Sequence, residues 1–546
     1  MTNEAYQAPK GDIVPPPGSA DRWPKQVKFI LGNEAAERFS FYGMKAILTG
    51  YIIGVLMKTG DQATSIVHLF GMVVYFMPVL GAWVSDRLWG RYSTILYISL
   101  FYCLGHAVLA CSDMTGSVDV KIALLYTGLG LIAFGAGGIK PCVSAFMGDQ
   151  FRPHQTEFLQ KAYAAFYWMI NLGSTLSFIV VPWVKDNWGY GWAFGIPGIA
   201  MGIATFVFWK GTPRYDRVPP AGDPAWRVKL AWILAILAGI IALICVNSMA
   251  PGAMTPALIV AAVLFVAAAT IWTRKMMRQV NVAASPVQSA AFTVWWYAVI
   301  RRLSGKSSGL WQGLESKFTP TALDHGGSFG RIMSIFALVP VFWALFDQTF
   351  STWLQQGKQM KPFYIGTYKV TEEVMLSANP IMVIIFIPIT VLFIYPMFGK
   401  LVTPLRRMAT GMFLAAGSYV VVAWLQQRLE AGEELSVAWQ TLPYLLLTFS
   451  EVLVSTTGLE FAFTQAAPAM KSTITGYWQL TVAVGNLLVV VLTAALGGHG
   501  DASSVSSGRF MLYAGIMLGA AILFSLIAAR YRYRQVPTVD GAVAAH

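Results

Sequence analysis

The chain has 546 residues, 56% of them hydrophobic and only 12% charged, with a formal net charge of +13. A soluble protein carries about 25% charged residues and at this length needs several polar-coated domains. The composition therefore excludes a soluble multidomain enzyme, a disordered chain and a disulfide scaffold, and leaves a polytopic membrane protein.

Residues 1–28 are polar and proline-rich and lack an apolar core, so no cleavable signal peptide is expected. Apolar runs long enough to cross a bilayer, about 20 residues each, follow near 29–57, 63–85, 92–112, 119–147, 158–183 and 189–209. Two more lie near 228–249 and 254–274, and six near 331–356, 377–398, 404–426, 437–465, 471–497 and 507–531. The prediction is an all-α polytopic membrane protein of about fourteen helices. Its divisions are a cytoplasmic segment (1–28), a six-helix bundle (29–210), a linker carrying an extra helix pair (211–278), an interfacial linker (279–330), a second six-helix bundle (331–532) and a cytoplasmic tail (533–546). Two six-helix halves match a pair of repeats related by an axis along the membrane normal.

Lys and Arg crowd the loops on one face, among them Arg87, Arg91, Arg152, Arg274, Lys275, Arg406 and Arg407, while the other face has few, such as Lys58, Lys121, Lys185 and Lys361. That bias places both termini in the cytoplasm and accounts for the net positive charge without nucleic acid, whose recognition needs a soluble basic face. In the interfacial linker, Trp295, Trp296, Arg301 and Arg302 predict an amphipathic segment at the membrane surface. Cys103, Cys111, Cys142 and Cys245 lie in apolar runs without CxxC spacing, which predicts buried, inert thiols and neither zinc nor a disulfide framework.

A charge inside a spanning helix is expensive and marks a functional position with a partner. In span 1, Glu34, Arg38, Tyr42 and Lys45 share one helical face and Glu37 flanks it. Span 2 puts His68 and Tyr75 seven residues apart; His titrates near neutrality and is a candidate proton carrier. Span 4 places Lys140 beside a glycine run, 135–138, that permits close helix approach. In the second half, Trp343 and Asp347 share a face, as do Glu451 and Ser455; Asn171 and Asn379 add neutral hydrogen-bonding groups. A cavity between the halves is then expected to be basic on one wall (Arg38, Lys45, Lys140) and acidic on the other (Asp347, Glu451). Such a field suits a short zwitterion, with Tyr42, Tyr75, Trp343 and Trp478 supplying aromatic pockets. In an empty site, acids and bases pairing across the halves, Lys45 with Asp347 and Lys140 with Glu451, would form gates that protonation opens.

These residues resemble a known family. Glu34, Glu37, Arg38, Phe39, Tyr42 and Gly43 carry the ExxERFxxYG signature of the proton-dependent oligopeptide transporters of the major facilitator superfamily, and Phe166 to Gly173 carries FYxxINxG. The 81–91 stretch looks like the superfamily's loop 2–3 motif. Lys140, Trp343, Asp347, Asn379-Pro380, Glu451 and Thr457–Phe461 follow in the family's order. The extra helix pair is similar to bacterial members, and the short loop near 426–437 lacks the large extracellular domain of animal ones. The resemblance implies the major facilitator fold and a proton-coupled symporter importing di- and tripeptides across the bacterial inner membrane. It implies no enzyme activity, no cofactor beyond protons as coupling ion, and function as a monomer in the lipid bilayer. It implies proton coupling at Glu34, Glu37, Arg38 and Asp347, with His68 as in those members that have it. The peptide carboxylate would meet Arg38, Lys45 and Lys140, and the amino terminus Asn171, Asn379 and Glu451. The chain departs from the family at Lys45, usually Arg, which loses bidentate geometry, and at Phe41, usually Tyr, which loses a hydroxyl. The alternatives are the same fold carrying nitrate, an amino-acid-like metabolite or a drug; a membrane enzyme, for which no nucleophile–base set or metal spacing is present; and a receptor-like sensor, for which the tail is too short.

Overall fold

The computed structural model describes residues 23–152, 155–222, 254–283, 285–466, 471–496, 505–531 and 533. The first half contains α1 (Val27–Gly54), α2 (Gly60–Val84), α3 (Arg91–Ala110), α4 (Val118–Gly148) and α5 (Thr156–Lys210). α5 is one 55-residue run, but Gly189 adopts φ 85° inside it and folds it into two arms. That conformation is open to glycine at little cost. Next come α6 (Met254–Val282) and α7 (Ala291–Leu303). The second half contains α8 (Pro320–Phe336), α9 (Val339–Phe346), α10 (Ala378–Ile389), α11 (Pro404–Glu430), α12 (Thr441–Glu451), α13 (Thr457–Gln465), α14 (Lys471–Leu496) and α15 (Ser507–Ala529).

Among the described residues, ten helical stretches stand out as long and apolar enough to cross a membrane. Counting both arms of α5 and adding α1, whose buried charges lower its hydropathy, gives twelve crossings besides α6 among the described residues. The first member of the extra pair, near 228–249, and the tail after 533 lie outside the described residues, as does Cys245; α6 is the second member. Side-chain caps start several helices. Thr59 and Gln62 form a reciprocal capping box on α2, and Thr319 caps α8, with Pro320 as its first residue.

Packing places α2 against α14 and α5 against α10, so the two halves meet along these pairs. Within the first half, α2 and α4 approach so closely that a methyl group on Gly81 would overlap the Gly138 backbone. A short antiparallel hairpin, β1 (Phe363–Ile365) and β2 (Tyr368–Val370), sits at the end of the bundle where α1 finishes. This is called the hairpin end below; the opposite one, where α1 starts and α15 finishes, is the terminal end.

The structure corrects three expectations. The first helix of the second half begins at Pro320, within the stretch assigned to a linker, because α8 and α7 pack together: Gly326 and Gly330 lie under Val294 and Trp295. α7 ends on Arg301 and Arg302, and its apolar face joins Met276, Val280, Leu314 and Phe318 in a small core of its own. The run 331–356 is also not one helix; it breaks after Phe336 and again at a 3₁₀ turn, Asp347–Phe350. Lastly, only Cys142 is buried among the described cysteines. Cys103 is half-buried, and Cys111 is exposed because it starts the 3₁₀ turn after α3.

Candidate functional site

Along α1 the stripe of charges is buried. Arg38 Nε donates to Glu34 Oε1 at 2.8 Å, one helical turn away. It also lies 2.7 Å from Glu37 Oε2, an ion-pair approach that is not aligned as a hydrogen bond. Lys140 and Glu34 are further charged neighbours of Glu37. Arg38 therefore serves two carboxylates of its own helix.

Farther along α1, Lys45 crosses to the second half and donates to Asp347 Oδ1 at 3.1 Å, with both side chains buried. The 3₁₀ turn that interrupts the helix at Asp347 carries the carboxylate to this contact. Lys45 Nζ also lies 3.9 Å from the centroid of the Phe350 ring. The other Asp347 oxygen accepts from Asn486 Nδ2 at 2.6 Å. Asn486 Oδ1 is 2.8 Å from His68 Nδ1, and His68 Nε2 is 2.9 Å from Ser351 Oγ. Because Asn486 gives its amide hydrogens to Asp347 and to the Val482 carbonyl, its oxygen faces the imidazole. The network then assigns the proton of neutral His68 to Nδ1 and leaves Nε2 to accept from Ser351. Lys45, Asp347, Asn486, His68 and Ser351 thus form one buried polar chain through both halves. Asn486 went unremarked in the sequence, although a lone Asn inside the apolar run of α14 is the kind of signal that found the others.

Beside this chain is a cavity of about 180 Å³, on the scale of a small ligand. Tyr42, Tyr75, Asn171, Trp343, Asp347, Asn379, Glu451 and Ser455, all singled out in the sequence, are among its lining residues. Tyr167, Ser174, Phe178, Phe346, Phe350 and Tyr444 line it as well. Tyr167 belongs to the FYxxINxG motif, whereas the other five sit in apolar stretches and carried no signal. Asn379 Nδ2 donates to Glu451 Oε2 at 2.7 Å and to Thr448 Oγ1 at 3.1 Å, which fixes the carboxylate on the cavity wall. A π-helical turn, Val452–Thr456, follows Glu451 directly; such turns are frequent at functional sites. Asn171 Nδ2 is turned back onto the Tyr167 carbonyl at 2.9 Å.

Three sequence-based expectations need correction. Lys140 and Glu451 do not pair: Glu451 is held by Asn379, while Lys140 Nζ is buried without a hydrogen-bond partner and faces the rings of Phe41 and Tyr75. The cavity also has no basic wall, for none of Arg38, Lys45 and Lys140 is among its lining residues. Arg38 and Lys45 are engaged with carboxylates and Lys140 with the rings. Trp478 stands behind the lining, packed on Trp343 at a centroid distance of 6.1 Å and over Gly458.

Two further ion pairs join the halves at the hairpin end. Lys185 of α5 binds Glu373, and Arg509 of α15 grips Asp61 of α2 at 2.6 and 3.3 Å. Of these four, only Lys185 was named in the sequence, as a loop charge.

The POT family model matches residues 92–498. Solute carrier family 15 member 2 of Danio rerio is 34% identical over 405 residues, 72% of this chain and 48% of that protein. Peptide transporter family 1 of Caenorhabditis elegans is 33% identical, over 75% of this chain and 46% of that protein. The chain thus spans about half the length of these curated relatives. Among solved structures, an auto-inhibited POT family peptide transporter aligns with a TM-score of 0.74 and 36% identity, covering 94% of this chain and 98% of that one. The POT family transporter PepTSo aligns with a TM-score of 0.74 and 34% identity, covering 94% and 99%. A family match over most of the chain and a shared fold agree with the motifs on α1 and α5, and the chain belongs to the POT family of major facilitator transporters.

Proposed function

We propose that this protein is a proton-coupled symporter that imports di- and tripeptides by alternating access. The observation that carries the proposal is the cavity between the halves: its two carboxylates are Asp347, engaged with Lys45 of the opposite half, and Glu451, positioned by Asn379. Glu451 is the acceptor for a peptide ammonium. Asn171 and Asn379 flank the same end of the ligand, and Arg38, Lys45 and Lys140 are the cations from which a carboxylate site is drawn. A proton taken up by Asp347 converts its carboxylate to a neutral acid. The ion pair with Lys45 is then lost and the halves are released to part at the hairpin end. Glu34, Glu37 and Arg38 form a second coupled acid–base group, and His68 bears on Asp347 through Asn486.

The proposal sets the terminal end and both termini in the cytoplasm of a bacterial cell, with the protein acting as a monomer in the inner membrane. The loop charges support this orientation. The hairpin end then faces outward, and the ties found there belong to a state closed to the outside.

The test is uptake of labelled dialanine into proteoliposomes with an inward proton gradient and an interior-negative potential, which supplies about 2.3 kcal/mol per charge per 100 mV. Accumulation that collapses on adding a protonophore is the expected result. Well-reconstituted protein that takes up no dialanine would sink the peptide assignment.

A further inference from the structure

Lys140 is held in an unusual way for a charged side chain. Its ammonium lies 4.3 Å from the centroid of the Phe41 ring and 4.2 Å from that of Tyr75. The nitrogen is buried and makes no hydrogen bond among the described residues. Tyr75 also lines the cavity, whereas Lys140 does not. Phe41 is completely buried, edge-on to Tyr42 and stacked on Phe70 at 6.0 Å and 27°, so its ring has a fixed place.

An ammonium that has given up its hydrogen bonds is poorly solvated. Two ring faces compensate only in part, since a cation–ring contact is weaker than a charge-assisted hydrogen bond to a carboxylate. Glu34 and Glu37 are charged neighbours of Lys140, but neither accepts a hydrogen bond from it, so the arrangement holds while the cavity is empty and gives way when a carboxylate enters that can accept one. We propose that Phe41 and Tyr75 clamp the Lys140 ammonium behind the cavity wall, and that Phe41 thereby sets how strongly the site prefers a substrate with a free carboxylate. The inference rests on the peptide assignment above and makes Phe41 a positioning residue acting through Lys140. Each increment of clamp strength lowers the fraction of protein with Lys140 free to engage, and apparent affinity for a carboxylate falls by that fraction.

The experiment measures dissociation constants of dialanine and of its C-terminal amide on the full-length purified protein. Phe41→Leu removes one ring face. Dialanine is expected to bind roughly 3- to 10-fold more tightly, by the usual strength of such a contact, with the amide unchanged. Phe41→Tyr keeps the face and should leave the ratio of the two constants near the native value. In a Lys140→Gln background, Phe41→Leu should no longer alter that ratio, a coupling that a purely structural role for Phe41 would not produce. Because Phe41→Leu opens space in a packed region and can fail to fold, a series of fluorinated phenylalanines at position 41 provides a shape-preserving check. Stepwise weakening of the ring face should raise the ratio stepwise. Equal changes for dialanine and its amide, or the same effect with and without Lys140, would overturn the clamp and leave the peptide assignment standing. Native protein that binds no dialanine would overturn both.

Discussion

The two ends of the interface between the halves are built differently. At the hairpin end side chains cross from one half to the other: Lys45 to Asp347, Lys185 to Glu373, Arg509 to Asp61, Thr49 Oγ1 to the Phe350 carbonyl at 2.6 Å, and Tyr368 Oη to the Ile179 carbonyl at 2.7 Å. At the terminal end the described polar contacts stay within a half. Arg91 Nη1 donates to Asp149 at 2.7 Å, the Gln150 side chain donates to the Asp216 carbonyl and accepts from the Asp216 backbone N–H, and Arg407 meets Glu460 at 3.3 Å. The first set closes one side of the molecule; the second stiffens each half as a body. A transporter that works by rocking two bodies needs both kinds of contact.

The largest effect is expected at the tie nearest the cavity. Asp347→Ala leaves the Lys45 ammonium buried without its carboxylate and removes the acceptor of Asn486. Breaking one side of a buried pair costs about 3–5 kcal/mol, so proton-driven dialanine uptake should fall by about 100-fold or more, with a lowered melting temperature. Uptake within threefold of native would remove Asp347 from the coupling chain and with it the special standing of the hairpin end.

A smaller effect is expected one layer out. Lys185→Met strands Glu373, whose side chain is only 4% exposed. Leaving such a group unsatisfied costs about 1–3 kcal/mol, and each 1.4 kcal/mol is tenfold in population. Spin labels on exposed positions, Tyr364 in the hairpin and Trp188 at the end of the first arm of α5, should report a roughly tenfold larger fraction of separated halves. Asp61→Asn is a gentler version. It keeps one acceptor for the Arg509 fork and the Arg509 bond to the Leu496 carbonyl at 3.1 Å, so a shift of about 1 kcal/mol is expected by the same readout. A reversed order of the two variants would show that the Lys185 pair is not the stronger tie.

The uneven legibility of these features follows from their physics. Spanning helices show as apolar length, and the stripe on α1 shows because charge inside an apolar run has no cheap explanation. Asp347, Glu451 and Asn379 were visible for the same reason. Partnership was harder to read. Lys140 and Glu451 are complementary in charge, yet three-dimensional packing gave one to a pair of rings and the other to an amide. Lys185, Glu373, Asp61 and Arg509 stand at helix ends, where sequence cannot separate a buried charge from a solvated one. The start of α8 was hidden because 324–330, rich in Gly and Ser, reads as loop; its glycines instead admit Val294 and Trp295 of α7.

The smallest effect should come from the terminal end and is the sharpest check on the contrast. Glu460→Gln removes the carboxylate facing Arg407, but Glu460 is 54% exposed and the pair lies wholly within the second half. Exposed pairs contribute about 0–1 kcal/mol, and no contact between halves is lost with this one. Dialanine uptake and the spin-label distances should both stay within twofold of native. A shift as large as that of Lys185→Met would mean that polar contacts inside one half also set the balance between open and closed. The ties at the hairpin end would then not be what holds the halves together.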